Sequence, residues 1–273
     1  MRQPRARGTA VDASRIGGWI QLFAGYRRQV TPTRIQQWLG QFHGNHNDLA
    51  ARILDAVEFY REDQLTDAYR SVFGRLPGWS RTAGERRGRW RFVAFSTHAG
   101  ESGDRMLHTF RAAVELTASR FDSLFVHRSD LLRENLSAED TVVLVDDFAG
   151  TGNQAVTAWN EALGELLPGR PRIFLVLAVA IDEAIAKIAE ETPIVVQTYR
   201  RLRARDNFFS AECLHFTGAE KTSTLAYCGK ADGVNPRGYG GCGVLLVFGH
   251  RCPNNSLPIL HANNFKFRGL FPR

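Results

Sequence analysis

The chain has 273 residues, 44% hydrophobic and 23% charged, which excludes a disordered or fibrous protein and suffices for a buried core without staples. Its 35 Lys and Arg against 28 Asp and Glu give a net charge of +7, which points to anionic partners. No apolar run approaches the roughly 20 residues a membrane-spanning helix needs.

The opening, MRQPRARGTAVDASR (1–15), is basic and has no apolar stretch, so it predicts a disordered arm rather than a signal peptide, and a cytoplasmic setting. Three helical patterns follow. Ile35, Trp38, Leu39 and Phe42 share one face. Leu49, Ile53, Val57 and Tyr60 share another, with Asn47 placed as an N-cap. Leu65, Tyr69, Val72 and Phe73 complete a helical N-terminal module over 16–78. GRLPGW and the first arginine cluster, RTAGERRGRWR (81–91), read as a junction.

Beyond it the pattern changes to strands alternating with helices. WRFVAFS, FDSLFV, TVVLV, RIFLVLAVAI, IVVQTY and GVLLVF read as strands; RMLHTFRAAVEL, NQAVTAWNEALGELL and DEAIAKIAEE read as helices. Apolar residues on both faces of the strands predict an α/β domain over 88–262 with a parallel sheet flanked by helices. Residues 263–273 are expected to form a tail. A second arginine cluster, RRLRAR (200–205), ends one strand. Neither cluster carries the aromatic interleaving of a nucleic-acid site, so solvated loops and strand ends are the favoured reading. Cys213, Cys228, Cys242 and Cys252 lack the close ligand pairs of a structural zinc site, so buried thiols and no zinc are expected.

The chemistry concentrates in TVVLVDDFAGTGNQ. Asp146 and Asp147 end an apolar strand, where ligands of α/β sheets sit. Ala149, Gly150, Thr151, Gly152 and Asn153 then lead into a helix whose N-terminal N–H groups suit an anion. Two carboxylates beside an anion cradle make sense if they hold hydroxyls or Mg2+ on the same ligand. A simple capped turn is the alternative, but a cap needs one acid. A second strand–loop–helix unit carries Gly100, Ser102, Gly103 and Arg105. Near the C-terminus, Pro253, Asn254 and Asn255 follow a strand.

The strand, acidic pair, glycine turn and helix resemble the phosphoribosyl-pyrophosphate (PRPP) motif of type I phosphoribosyltransferases. Together with RIQQWLGQF, SGDRMLHTFR and the Pro-Asn-Asn segment, the chain resembles PRTase-CE, the phosphoribosyltransferase-like family of prokaryotic conflict and defence systems. The resemblance implies a type I phosphoribosyltransferase-like fold. It implies that Asp146 and Asp147 hold the ribose hydroxyls, with Mg2+ bound indirectly, and that the loop from Ala149 to Asn153 holds the 5′-phosphate. It further implies a pyrophosphate loop at Gly100, Ser102, Gly103 and Arg105. Gly150, Asn153 and Gln154 depart from the family's usual Thr and Gly-Thr or Gly-Ser. The Pro253–Asn255 segment is read either as a lid or as a turn held by its own side-chain bonds. A PRPP- or nucleotide-binding protein, possible pentosyltransferase, is the expected function. A non-catalytic nucleotide sensor acting through a protein partner in a defence system stays open beside it. A nucleic-acid module using the arginines is the least favoured alternative.

Overall fold

The computed structural model describes residues 11–44, 46–95 and 103–273. In chain order the elements are α1 (Ala13–Leu22), α2 (Pro32–Leu39), α3 (His46–Ala56), β1 (Glu58–Tyr60), α4 (Glu62–Phe73), β2 (Trp90–Ala94), α5 (Gly103–Ala113), β3 (Thr141–Val145), β4 (Phe148–Ala149) and α6 (Asn153–Ala158). A π-helical turn, Trp159–Leu163, joins α6 to α7 (Gly164–Leu166). Then come β5 (Arg172–Ile181), α8 (Asp182–Glu191), β6 (Ile194–Leu202), α9 (Gly218–Ala231), β7 (Leu246–Phe248) and α10 (Pro258–His261). The chain divides into two compact units: a terminal unit, 1–62 with 204–273, and a central unit, 63–203. This division differs from the expected boundaries near 78 and 88.

In the terminal unit, α1 begins at the Asp12 cap, whose carboxylate accepts the Arg15 N–H at 2.8 Å. Helix α2 begins at Thr31, with Pro32 pre-set for the first helical position. The predicted helix through Tyr60 stops at Ala56. Glu58–Tyr60 instead pairs in parallel with Leu246–Phe248, because the adjacent aromatics Phe59 and Tyr60 gain a strand partner that propensity alone does not reveal. Asn47 lies inside the first turn of α3 rather than at its cap. Residues 263–273 are not a loose tail. Phe267, Leu270 and Phe271 are buried, and Phe271 meets Phe23 edge-on at 4.8 Å.

The central unit holds the all-parallel sheet. Strand β5 pairs with β6 along one edge and, along the other, with β3 and then β4. Because Val145 faces Val176 and Phe148 faces Val179, β3 and β4 keep one register along β5, interrupted only at Asp146 and Asp147. Strand β2 lies on the far side of β3. Val93, Val142, Leu144, Leu175, Ala155, Ala158 and Ile188 form one buried layer of this sheet with α6 and α8. On β2, Phe92 packs against Phe110 of α5 and Phe73 of α4. The expected strand FDSLFV is instead a 3-10 helix, Ser119–Leu124, followed by a single parallel bridge from Phe125 to Phe92. Asp122 and Ser123 interrupt the apolar alternation a full strand would need. The chain therefore leaves β2 toward Phe125 on one side and returns to β3 on the other, so the strand order reverses between β2 and β3.

Candidate functional site

A reversal of strand order opens a crevice at the carboxyl ends of the two strands concerned, which is where open α/β sheets bind ligands. Asp146 and Asp147 stand at that place, immediately after β3. Their backbone is fixed by the sheet. The Asp146 N–H donates to the Val176 carbonyl at 3.1 Å, and the Asp147 carbonyl accepts from Ala178 and Val179, each at 3.1 Å. Asp146 Oδ1 accepts the Asp147 N–H at 2.9 Å. The Tyr69 hydroxyl, from α4, donates to the Asp146 carbonyl at 3.0 Å. Asp146 is 3% exposed and Asp147 is fully buried.

Ala149 closes β4, and Gly150 and Thr151 turn the chain toward α6. Gly152 is the residue that makes the turn possible. Its φ is +78°, and a Cβ there would stand 2.9 Å from the Ala184 carbonyl of α8. Its own carbonyl accepts from Ala155 and Val156, opening the helix. Thr151 Oγ1 accepts the Asn153 N–H at 3.3 Å, and Asn153 is exposed at the helix start. The structure thus brings Asp146, Asp147, Ala149, Gly150, Thr151, Gly152 and Asn153 together in one strand–turn–helix corner.

The second expected loop is only partly described. Gly100 and Ser102 lie outside the described residues. Gly103 is buried as the first residue of α5, and Arg105 is exposed in its first turn. Pro253, Asn254 and Asn255 belong to the terminal unit and form a packed turn. Asn255 is 6% exposed, and its amide donates to the Tyr239 carbonyl at 3.0 Å. Its carbonyl accepts from Val244, and a Cβ on Gly238 would come within 2.4 Å of it. The Asn254 carbonyl accepts from Tyr239.

Arginines of both clusters are engaged with acids. Arg81 meets Glu115, Arg87 meets Glu139, Arg89 meets Asp140, Arg91 meets Glu134, and Arg201 and Arg203 share Asp182. Burial pushes the Cys228 and Cys252 thiols up to about 12, so both stay protonated at neutral pH. Tyr69 is the site residue that sequence patterning hides. It reads as one more apolar position of α4, and nothing local shows that its hydroxyl reaches a carbonyl 77 positions along the chain.

A parallel sheet flanked by helices, with an acidic pair and a glycine turn at its order reversal, defines a phosphoribosyltransferase-like protein. The chain belongs to the PRTase-CE family, whose model matches residues 35–273. No curated protein matches it.

Proposed function

We propose that this protein binds a phosphoribosyl compound, PRPP or a nucleotide, with Mg2+ at the corner formed by Asp146, Asp147 and the loop Ala149–Asn153. The observation that supports this reading is the order reversal between β2 and β3, with two carboxylates and a positive-φ glycine turn following β3 directly. The carboxylates would accept from the ribose hydroxyls, while Thr151 and the N–H groups opening the helix would face the 5′-phosphate. The donor chemistry fits Mg2+, which takes hard oxygen ligands and is commonly held by one or two carboxylates plus substrate phosphate oxygens. Asp146 and Asp147 would serve it. Gly103 and Arg105 would complete the site at the start of α5, where a pyrophosphate would meet the Arg105 guanidinium.

If the bound compound reacts, the step is substitution at the anomeric carbon, in which the bond to pyrophosphate or a base breaks as the acceptor bonds. Charge stabilisation and positioning would supply most of its acceleration. A non-catalytic sensor is the second reading, and the loop's departures from the family pattern at Gly150, Asn153 and Gln154 favour it. Its output would pass to a protein partner within a prokaryotic defence system, in the cytoplasm. Among the described residues no helix is long and apolar enough to cross a membrane.

Calorimetric titration of PRPP and a nucleotide panel, with and without Mg2+, tests the proposal. Magnesium-dependent binding by the wild type and its loss in an Asp146→Asn/Asp147→Asn variant are the expected results. Absence of binding by a folded wild type would sink the reading. Release of pyrophosphate or free base from the bound compound would decide for the transferase over the sensor.

A further inference from the structure

An open cavity of about 580 Å³ lies in the terminal unit, beside the last turn of α9 and the chain that follows α10. Lys230, Lys266 and Arg273 line it, against one acid, Asp232. That acid is already committed: its Oδ1 accepts the backbone N–H groups of Val234 at 2.9 Å and Asn235 at 3.0 Å. The Lys230 and Lys266 ammonium groups lie over the Tyr227 and Phe265 rings, at 5.3 and 5.4 Å. Among the described residues neither lysine, nor the Arg273 guanidinium, makes an ion pair. Burial, reinforced by the neighbouring Arg251 and Arg27 charges, holds the Arg273 pKa below its ordinary value.

His261 supplies an independent sign. Its side chain is more than nine-tenths buried in the wall of the cavity, and its Nε2 has no hydrogen-bond partner. Native proteins rarely leave such an atom unpaired. His261 thus shares the cavity wall with three cations that, among the described residues, no acid pairs.

We propose that this cavity is a second ligand site, built for the phosphate group of a small phosphomonoester. Lysine and arginine donors are the usual partners of phosphate. The volume is of the order that holds a small organic ligand, roughly 300–1,000 Å³, and exceeds what a bare phosphate fills. Phe265, 92% exposed on the wall, offers the rest of the molecule an apolar ring face. None of these residues belongs to the Asp146–Asp147 corner, so the site stands whether or not that corner binds PRPP.

Titration of the full chain with inorganic phosphate and with a nucleoside monophosphate tests this, beside a Lys230→Ala/Lys266→Ala variant. Both lysines are exposed, so the variant is expected to fold. The expected result is saturable binding of the monophosphate, weaker binding of phosphate, and at least a tenfold loss in the lysine variant. In Asp146→Asn/Asp147→Asn, which removes any binding at the acidic corner, one monophosphate site that the lysine substitutions abolish should remain, and the His261 ring nitrogen signals should move on titration. Three outcomes would overturn the proposal: no saturable binding of either probe, binding indifferent to the lysine variant, or binding confined to single-stranded RNA.

Discussion

Single residues carry the sharpest consequences for stability. Gly152 occupies a left-handed conformation and touches a carbonyl of α8, so Gly152→Ala pays both strain and displacement. Urea unfolding is expected to show a loss of about 1–3 kcal/mol. Two buried titratable groups act in separate pH windows. Burial raises the Asp140 pKa, but hydrogen bonds from the Arg89 side chain and from the Ser137 and Arg89 N–H groups outweigh it, and the carboxyl falls to about 2. The folded protein therefore releases this proton more readily than the unfolded chain. Its contribution, about 2 kcal/mol, is complete above the unfolded value near 4 and is lost as pH falls toward 2. His261 differs in window and cause. Burial, then the Arg273 charge, lowers it to about 4, so the unfolded chain takes up a proton from about pH 6.5 downward while the folded one does not. Stability then falls by about 3 kcal/mol between pH 6.5 and 4. Stability measured against pH should flatten in the upper window for His261→Gln and in the lower one for Asp140→Asn. Unchanged acid limbs in both variants would contradict the assignment.

At the scale of elements, the corner works because β3, β4, α4 and α6 converge on two residues. Tyr69→Phe removes one bond to the Asp146 carbonyl and should lower stability by about 1 kcal/mol. If the corner binds PRPP, loosening that carbonyl should weaken affinity by no more than about tenfold, since 1.4 kcal/mol is a factor of ten. A loss of affinity with no change in stability would instead mean that the hydroxyl touches the ligand itself. What the sequence discloses divides along the same physical line. The strand TVVLV and the glycine turn after it are legible because local apolar runs and φ-positive glycines announce themselves. Pairing partners are not local, which is why Glu58–Tyr60 looks like the end of a helix until Leu246–Phe248 is found beside it. FDSLFV fails for the opposite reason. Its aromatic ends look like a strand, yet Asp122 and Ser123 leave only Phe125 to bridge β2. The burial of Asp146 and Asp147 is equally invisible from sequence, because two adjacent acids suggest water on at least one side.

For the whole molecule, the two candidate sites fall in different compact units, Asp146–Asp147 in 63–203 and the His261 cavity in 204–273. A ligand that binds only the folded state stabilises it by about 2.7 kcal/mol at one hundred times its dissociation constant. Hydrogen exchange can locate that stabilisation, because amides open locally in cooperative segments rather than uniformly. PRPP with Mg2+ is expected to slow exchange most in β3, β4 and α6, whose N–H groups hold the acidic corner. A nucleoside monophosphate at the cavity is expected to slow it in α9 and over 258–273. If PRPP protects only the terminal unit, its phosphate is being read by Lys230, Lys266 and Arg273, and the acidic pair is a buried structural feature of the sheet. If each ligand protects its own segments and also slows exchange in the other unit, the two sites are coupled. By linkage the monophosphate must then change PRPP affinity by the same factor that PRPP changes its own. That reciprocity separates a regulated phosphoribosyl-binding protein from one that merely carries two sites.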